Sequence, residues 1–143
     1  MNPKTLKSLT QRWGPTLLMM AAIFIASSIP KEEMPAFGFW DLLVKKGGHL
    51  LGYGLLAVAY LHALTNGQQA NLAQVVWAIL LAGLYGATDE FHQLFVAGRG
   101  ASLVDVLIDS VGAMIGSGVR VGMGLRLWST DGADETNKIT EMK

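Results

Sequence analysis

Residues 47–88 form a run of 42 positions without a single Asp, Glu, Lys or Arg, and residues 13–30 form a second such run. A polar patch, Thr65-Asn66-Gly67-Gln68-Gln69-Ala70-Asn71, divides the longer run. Each half is near the ~20 apolar residues that a bilayer-spanning helix requires. In hydrocarbon every backbone N–H and C=O must be satisfied within the protein, so only helices and closed barrels can span. Barrel strands alternate polar and apolar residues, and these runs do not alternate. The chain therefore reads as an all-α polytopic membrane protein, a four-transmembrane-helix bundle. Composition agrees: 51% of residues are hydrophobic and 15% are charged, where soluble domains carry about 25% charged residues. The net charge of zero removes the broad basic field that nucleic-acid binding needs. The absence of cysteine excludes disulfides, thiolate chemistry and Cys-based zinc sites.

Three regions follow. Residues 1–12 are a basic leader with Lys4, Lys7 and Arg12, residues 13–128 are the four-helix membrane domain, and residues 129–143 are a polar tail expected to be disordered. Helix one is expected over 15–28, with Pro15 in its first turn, where a missing N–H costs nothing. A basic start, a short apolar core and Ala26-Ser27-Ser28 also fit a cleavable signal, but three more apolar segments favour a retained span. Residues 30–46 form a polar connection with an aromatic centre, Phe37-Gly38-Phe39-Trp40, a composition suited to the membrane boundary. Helix two is expected over 46–64 and helix three over 71–95. Val96-Ala97-Gly98-Arg99-Gly100 forms a turn, and helix four runs from Ser102, in a capping-box variant with Asp105, to 119 or beyond. Five Lys/Arg flank the spans on one side (Lys4, Lys7, Arg12, Arg120, Arg126) and four on the other (Lys31, Lys45, Lys46, Arg99). Positive residues favour the cytoplasm, so both termini are expected on the cytoplasmic side of the inner membrane.

Charge inside such a chain is expensive, roughly 2.5–3.5 kcal/mol per group at a helix centre. Yet Asp89, Glu90, Arg99, Asp105 and Asp109 lie in and between two of its most apolar stretches. Helical spacing orders them. Lys46, His49 and Tyr53 share one stripe on helix two. Asp89, His92 and Gln93 share one on helix three. Asp105, Asp109, Gly112 and Gly116 share one on helix four, where Gly112 and Gly116 match the GxxxG pattern of close helix approach. Alternation of four spans brings all three stripes to the same end of the bundle. The expected pocket comprises Lys46, His49, Tyr53, Asp89, Glu90, Gln93, Arg99, Asp105 and Asp109. Arg99 is expected to form a salt bridge with Asp89, Glu90 or Asp105. Asp109, deeper by one turn, is expected to need Lys46 or Arg99 if it is to carry charge.

The ordered set Lys46-x-x-His49-x-x-x-Tyr53, Asp89-Glu90-x-x-Gln93-x-Phe95-x-x-Gly98-Arg99, Ser102-x-x-Asp105, Gly112 and Gly116 resembles the VanZ-like family of small membrane proteins. The resemblance covers residues 27–118. Two positions depart from the family's pattern: Ala97 stands where a proline usually precedes the Gly-Arg pair, and Asp109 where an asparagine usually follows the motif aspartate. The family's namesake is associated with low-level resistance to the glycopeptide teicoplanin, so the resemblance implies a cell-envelope role related to antibiotic resistance.

An internal ion-pair network would also account for the charges. Buried ionic groups add little stability over apolar replacements, however, and intramembrane ionisable groups are functional candidates by default. Three classes of function stay open. One is a binding protein for an anionic membrane lipid or lipid-linked cell-wall precursor, with Lys46 and Arg99 on the phosphate or carboxylate. Another is an intramembrane enzyme on such a lipid, with Asp89 or Glu90 as base and His49 as acid. The third is a proton-coupled transporter using Asp105 and Asp109, which with so few spans would need a homo-oligomer. His49, His92, Asp89 and Glu90 are possible metal ligands, but no spacing forms a recognised metal motif, so neither metal nor other cofactor is expected. No phosphate-binding Gly-rich loop and no G-x-S-x-G elbow occurs.

Overall fold

The computed structural model describes residues 3–35 and 38–141, with side chains for 9–35, 38–41 and 43–124. Four α-helices account for most of the chain: α1 (Pro3–Ser27), α2 (Asp41–Thr65), α3 (Leu72–Gln93) and α4 (Leu103–Glu141). Two single turns of 3₁₀ helix, Lys31–Glu33 and Gly38–Trp40, lie between α1 and α2. There is no strand among the described residues.

α1 and α2 start earlier than hydropathy indicates, because charge does not stop a helix, while α3 and α4 start within a residue of expectation. α2 begins at Asp41, where Lys45 Nζ pairs with Asp41 Oδ2 at 2.7 Å, one turn apart. α1 begins at Pro3, which places Pro15 inside the helix and not in its first turn. α3 opens with a reciprocal capping box: Gln74 N donates to Asn71 Oδ1, and Asn71 N donates to Gln74 Oε1. α4 continues as helix to Glu141, through most of the segment read as a disordered tail. Residues 142–143 of that segment lie outside the described residues, as does Phe37 of the aromatic loop. Phe39 beside it is 91% exposed.

Among the described residues, three helical segments are long and apolar enough to cross a membrane: Gly38–Thr65, Leu72–Gln93 and Leu103–Gly124. α1 falls short of that measure. Its apolar part, residues 15–27, rises only about 20 Å at 1.5 Å per residue, against a hydrocarbon thickness of about 30 Å.

α2 is the hub. It packs against each of the other three helices, α3 packs against α4 and touches α1, and among the described residues α1 and α4 do not meet. The core is built from Tyr53, Leu56, Ala57, Tyr60 and Leu61 of α2, Ala78 and Ala82 of α3 and Ala113 of α4. Larger apolar side chains, Leu51, Leu55, Leu84, Leu107 and Ile115 among them, point outward. Small residues inside and bulky apolar ones outside suit a bundle surrounded by lipid, where packing and not hydrophobic exclusion holds helices together.

The α2–α4 seam sets the site. The two helices run parallel, and Lys46, His49, Leu50 and Gly54 lie opposite Asp105, Asp109, Gly112 and Gly116 in turn. A methyl group at Gly112 would strike the Leu50 carbonyl oxygen, and one at Gly116 the Gly54 carbonyl oxygen. The GxxxG pair is therefore used within the chain, to let α4 approach the backbone of α2.

Candidate functional site

The polar residues gather where the start of α2, the end of α3 and the start of α4 meet the end of α1. They surround a cavity of about 530 Å³. Of the expected pocket, Lys46, His49, Tyr53, Asp89, Gln93, Arg99 and Asp105 line it. Glu90 and Asp109 lie behind the wall, both buried.

Lys46 Nζ meets Asp105 Oδ1 at 2.8 Å, a half-buried pair that ties α2 to α4. One turn deeper, His49 Nδ1 donates to Asp109 Oδ1 at 3.0 Å. A neutral imidazole that donates from Nδ1 to an ionised Asp109 leaves Nε2 as its acceptor. Asp109 is thus reached by His49, and by neither Lys46 nor Arg99. Tyr53 stacks beside His49, with ring centroids 6.3 Å apart. Its hydroxyl and Asp109 Oδ2 are both buried without a hydrogen-bond partner. Gly86 of α3 makes room for them: a methyl there would lie 3.0 Å from Asp109 Oδ2 and 3.3 Å from the Tyr53 ring.

Gln93 joins the α3 carboxylates. Its Nε2 donates to Asp89 Oδ2 (3.0 Å) and to Glu90 Oε1 (3.2 Å), and its Oε1 accepts from Arg99 Nη1 (3.3 Å). Glu90 Oε2 also accepts from Ser102 N at 2.6 Å. Only half of the expected capping box forms within α4: Asp105 N donates to Ser102 Oγ. Glu90 takes the other half from a neighbouring helix, and the Asp105 carboxylate pairs with Lys46.

Arg99 corrects a second expectation. Among the described residues it makes no salt bridge with Asp89, Glu90 or Asp105. Its Nη2 donates to Ala26 O (3.1 Å) and its Nε to Ile29 O (2.9 Å), with Met34 Sδ also in contact at 3.0 Å. The last carbonyls of a helix lack intrahelical donors and sit at the negative end of its dipole. The guanidinium fills that role at Ala26 O of α1, takes Ile29 O in the turn beyond it, and reaches the carboxylates through Gln93. The turn carrying it needs Gly98, which has φ +70° and packs against Lys31.

Sequence reasoning missed the contribution of α1. Ser27 Oγ donates to Asp89 Oδ1 at 2.6 Å, so a residue that fits a cleavage motif is part of the buried network. His92, placed by spacing on the Asp89 stripe, turns away from the cavity. Its Nε2 donates to Ser28 Oγ (3.0 Å), and its ring lies 4.4 Å from that of Phe24. The run of small polar residues Ser27-Ser28 at the end of an apolar helix was the available signal.

A family model described as VanZ/LLP1 matches residues 5–123. No curated protein and no solved structure matches the chain. The family match reaches from α1 into α4 and contains the whole cavity wall, and the chain accordingly belongs to the VanZ/LLP1 family.

Proposed function

We propose that this protein is a multi-pass, four-span component of the cytoplasmic membrane that binds the headgroup of an anionic envelope lipid or lipid-linked cell-wall precursor. The observation that carries the reading is the composition of the 530 Å³ cavity wall. Lys31, Lys45 and Lys46 face the same space as apolar Ile23, Met34 and Val44. Such a wall suits an amphiphile with a phosphate at one end, since juxtamembrane Lys/Arg attract anionic headgroups. Arg99 contributes by fixing the end of α1. The expected cellular consequence is altered access of a glycopeptide such as teicoplanin to its envelope target.

The test is lipid retention by the purified protein, with a polyprenyl phosphate, an acidic phospholipid and a zwitterionic phospholipid offered in competition. Anionic lipids should be retained preferentially, and Lys46→Gln should reduce that preference about tenfold, on the order of 1.4 kcal/mol. Equal retention of all three lipids would rule the reading out.

One observation favours a second reading, in which the lipid is a substrate. An imidazole held by a buried carboxylate through Nδ1, on the wall of a cavity, is the arrangement of a general base. Turnover of a lipid-linked substrate by purified protein, abolished in His49→Gln, would select it over simple binding. No contact specifically favours the transporter reading, because Asp105 and Asp109 each pair with α2 and not with one another.

A further inference from the structure

His49, Glu90 and Asp109 come from three different helices, yet each offers a ligand atom such that all three atoms lie within 4.8 Å of one another. From this geometry we propose that they form a binding site for one divalent transition cation, zinc or manganese.

Three observations carry the proposal. The first is charge. Glu90 and Asp109 are buried side by side in a membrane bundle with the His49 imidazole, on Asp109, as their chargeable partner, and buried charge must be paired or must coordinate a metal. Of the Lys and Arg side chains on the cavity wall, Lys46 is engaged by Asp105, Lys45 by Asp41, and Arg99 by the Ala26 and Ile29 carbonyls and Gln93. Among the described residues no Lys or Arg forms a salt bridge with either carboxylate.

The second is an unused donor atom. The Asp109 side chain is 1% exposed, and its Oδ2 has no partner. The neighbouring Tyr53 hydroxyl, equally buried and unpartnered, lies along the same wall as His49.

The third is orientation. Glu90 is held at both oxygens, by Ser102 N–H and by the Gln93 amide, and metal-binding carboxylates are characteristically fixed by such outer hydrogen bonds. His49 Nδ1 and Asp109 Oδ1 are 3.0 Å apart, close to the ~3.0 Å edge between adjacent ligands that each sit ~2.1 Å from an octahedral ion; an ion bound there takes the place of the proton between them, which passes to Nε2 or to solvent.

One imidazole and two carboxylates suit zinc or manganese: imidazole favours the former and carboxylate the latter. Three protein ligands leave a coordination position open. An anionic oxygen of a cavity-bound headgroup is suited to complete it. That last step rests on the lipid reading above; metal binding itself does not.

The experiment uses the full chain in detergent, stripped with a chelator and titrated separately with Zn²⁺ and Mn²⁺ in the absence of added lipid. One ion per chain should bind, and pulsed EPR of the Mn²⁺ form should show one imidazole nitrogen. The isosteric Glu90→Gln and Asp109→Asn variants should each weaken binding at least tenfold, while Asp41→Asn, distant from the cluster, should bind normally. Stoichiometric binding absent from the wild type, an ion without imidazole nitrogen, or affinity unchanged in either cluster variant would overturn the proposal. The wild-type spectrum decides even where a variant fails to fold. Lipid retention measured in parallel separates a failure here from a failure of the lipid reading.

Discussion

Arg99 joins the last carbonyls of α1 to the Gln93 amide, and a planar fork is what allows one side chain to do so from a turn. Arg99→Lys keeps the charge and loses the geometry. It should lower the thermal stability of the purified protein by several degrees, on the order of 1–2 kcal/mol for hydrogen bonds to a charged donor, with Arg99→Gln at least as severe. An unchanged melting temperature in Arg99→Lys would show that the α1 contacts are dispensable. Sequence spacing placed Lys46, His49 and Tyr53 on one stripe and Asp105 and Asp109 on another, because a helix repeats every 3.6 residues whatever surrounds it. Choice of partner was not legible in the same way. Whether Arg99 meets a carboxylate or a carbonyl depends on where α1 ends in space, and whether His49 takes Asp109 or Lys46 takes Asp105 depends on the relative height of two helices. Nor does any local ligand spacing announce the His49–Glu90–Asp109 cluster, since its members are 41 and 19 positions apart in the sequence.

At the level of elements, the parallel α2–α4 seam is the part of the fold with least tolerance. Gly112→Ala and Gly116→Ala would each press a methyl group against a backbone carbonyl of α2. Backbone gives way less readily than a side chain, so each should destabilise by about 1–3 kcal/mol, the range for overpacking. Gly118, two positions beyond, faces open space, and Gly118→Ala should be neutral or slightly stabilising. Thermal unfolding of the three variants in one detergent checks the contrast; a Gly112→Ala protein as stable as Gly118→Ala would mean that the seam is looser than drawn. The GxxxG spacing was visible in the sequence, whereas its partner was not. The same pattern serves association between chains as readily as within one, and only the opposed Leu50 and Gly54 carbonyls settle its use here. α1 was the least legible element. Its apolar stretch was visible, but the helix extends back through Arg12, whose Nε donates to Ala63 O near the far end of α2.

For the whole molecule, the proposed four-span arrangement depends on α1, which among the described residues is not one of the segments long and apolar enough to cross. An N-terminal tag, a reporter after Thr65 and a reporter at the C terminus should all report the cytoplasmic side. A tag on the opposite side from the Thr65 reporter would mean that α1 does not cross, leaving three spans. The absence of contact between α1 and α4 also has a consequence for how a ligand arrives. The cavity wall takes residues from both helices, Ile23, Ala26 and Ser27 from one and Asp105 from the other, yet among the described residues the two helices do not pack against one another. In a bilayer, an opening on that side would face acyl chains. An amphiphile already resident in the leaflet can slide in sideways without its tail ever leaving hydrocarbon. On the lipid reading proposed above, occupancy would then follow the mole fraction of that lipid in its leaflet, a two-dimensional abundance.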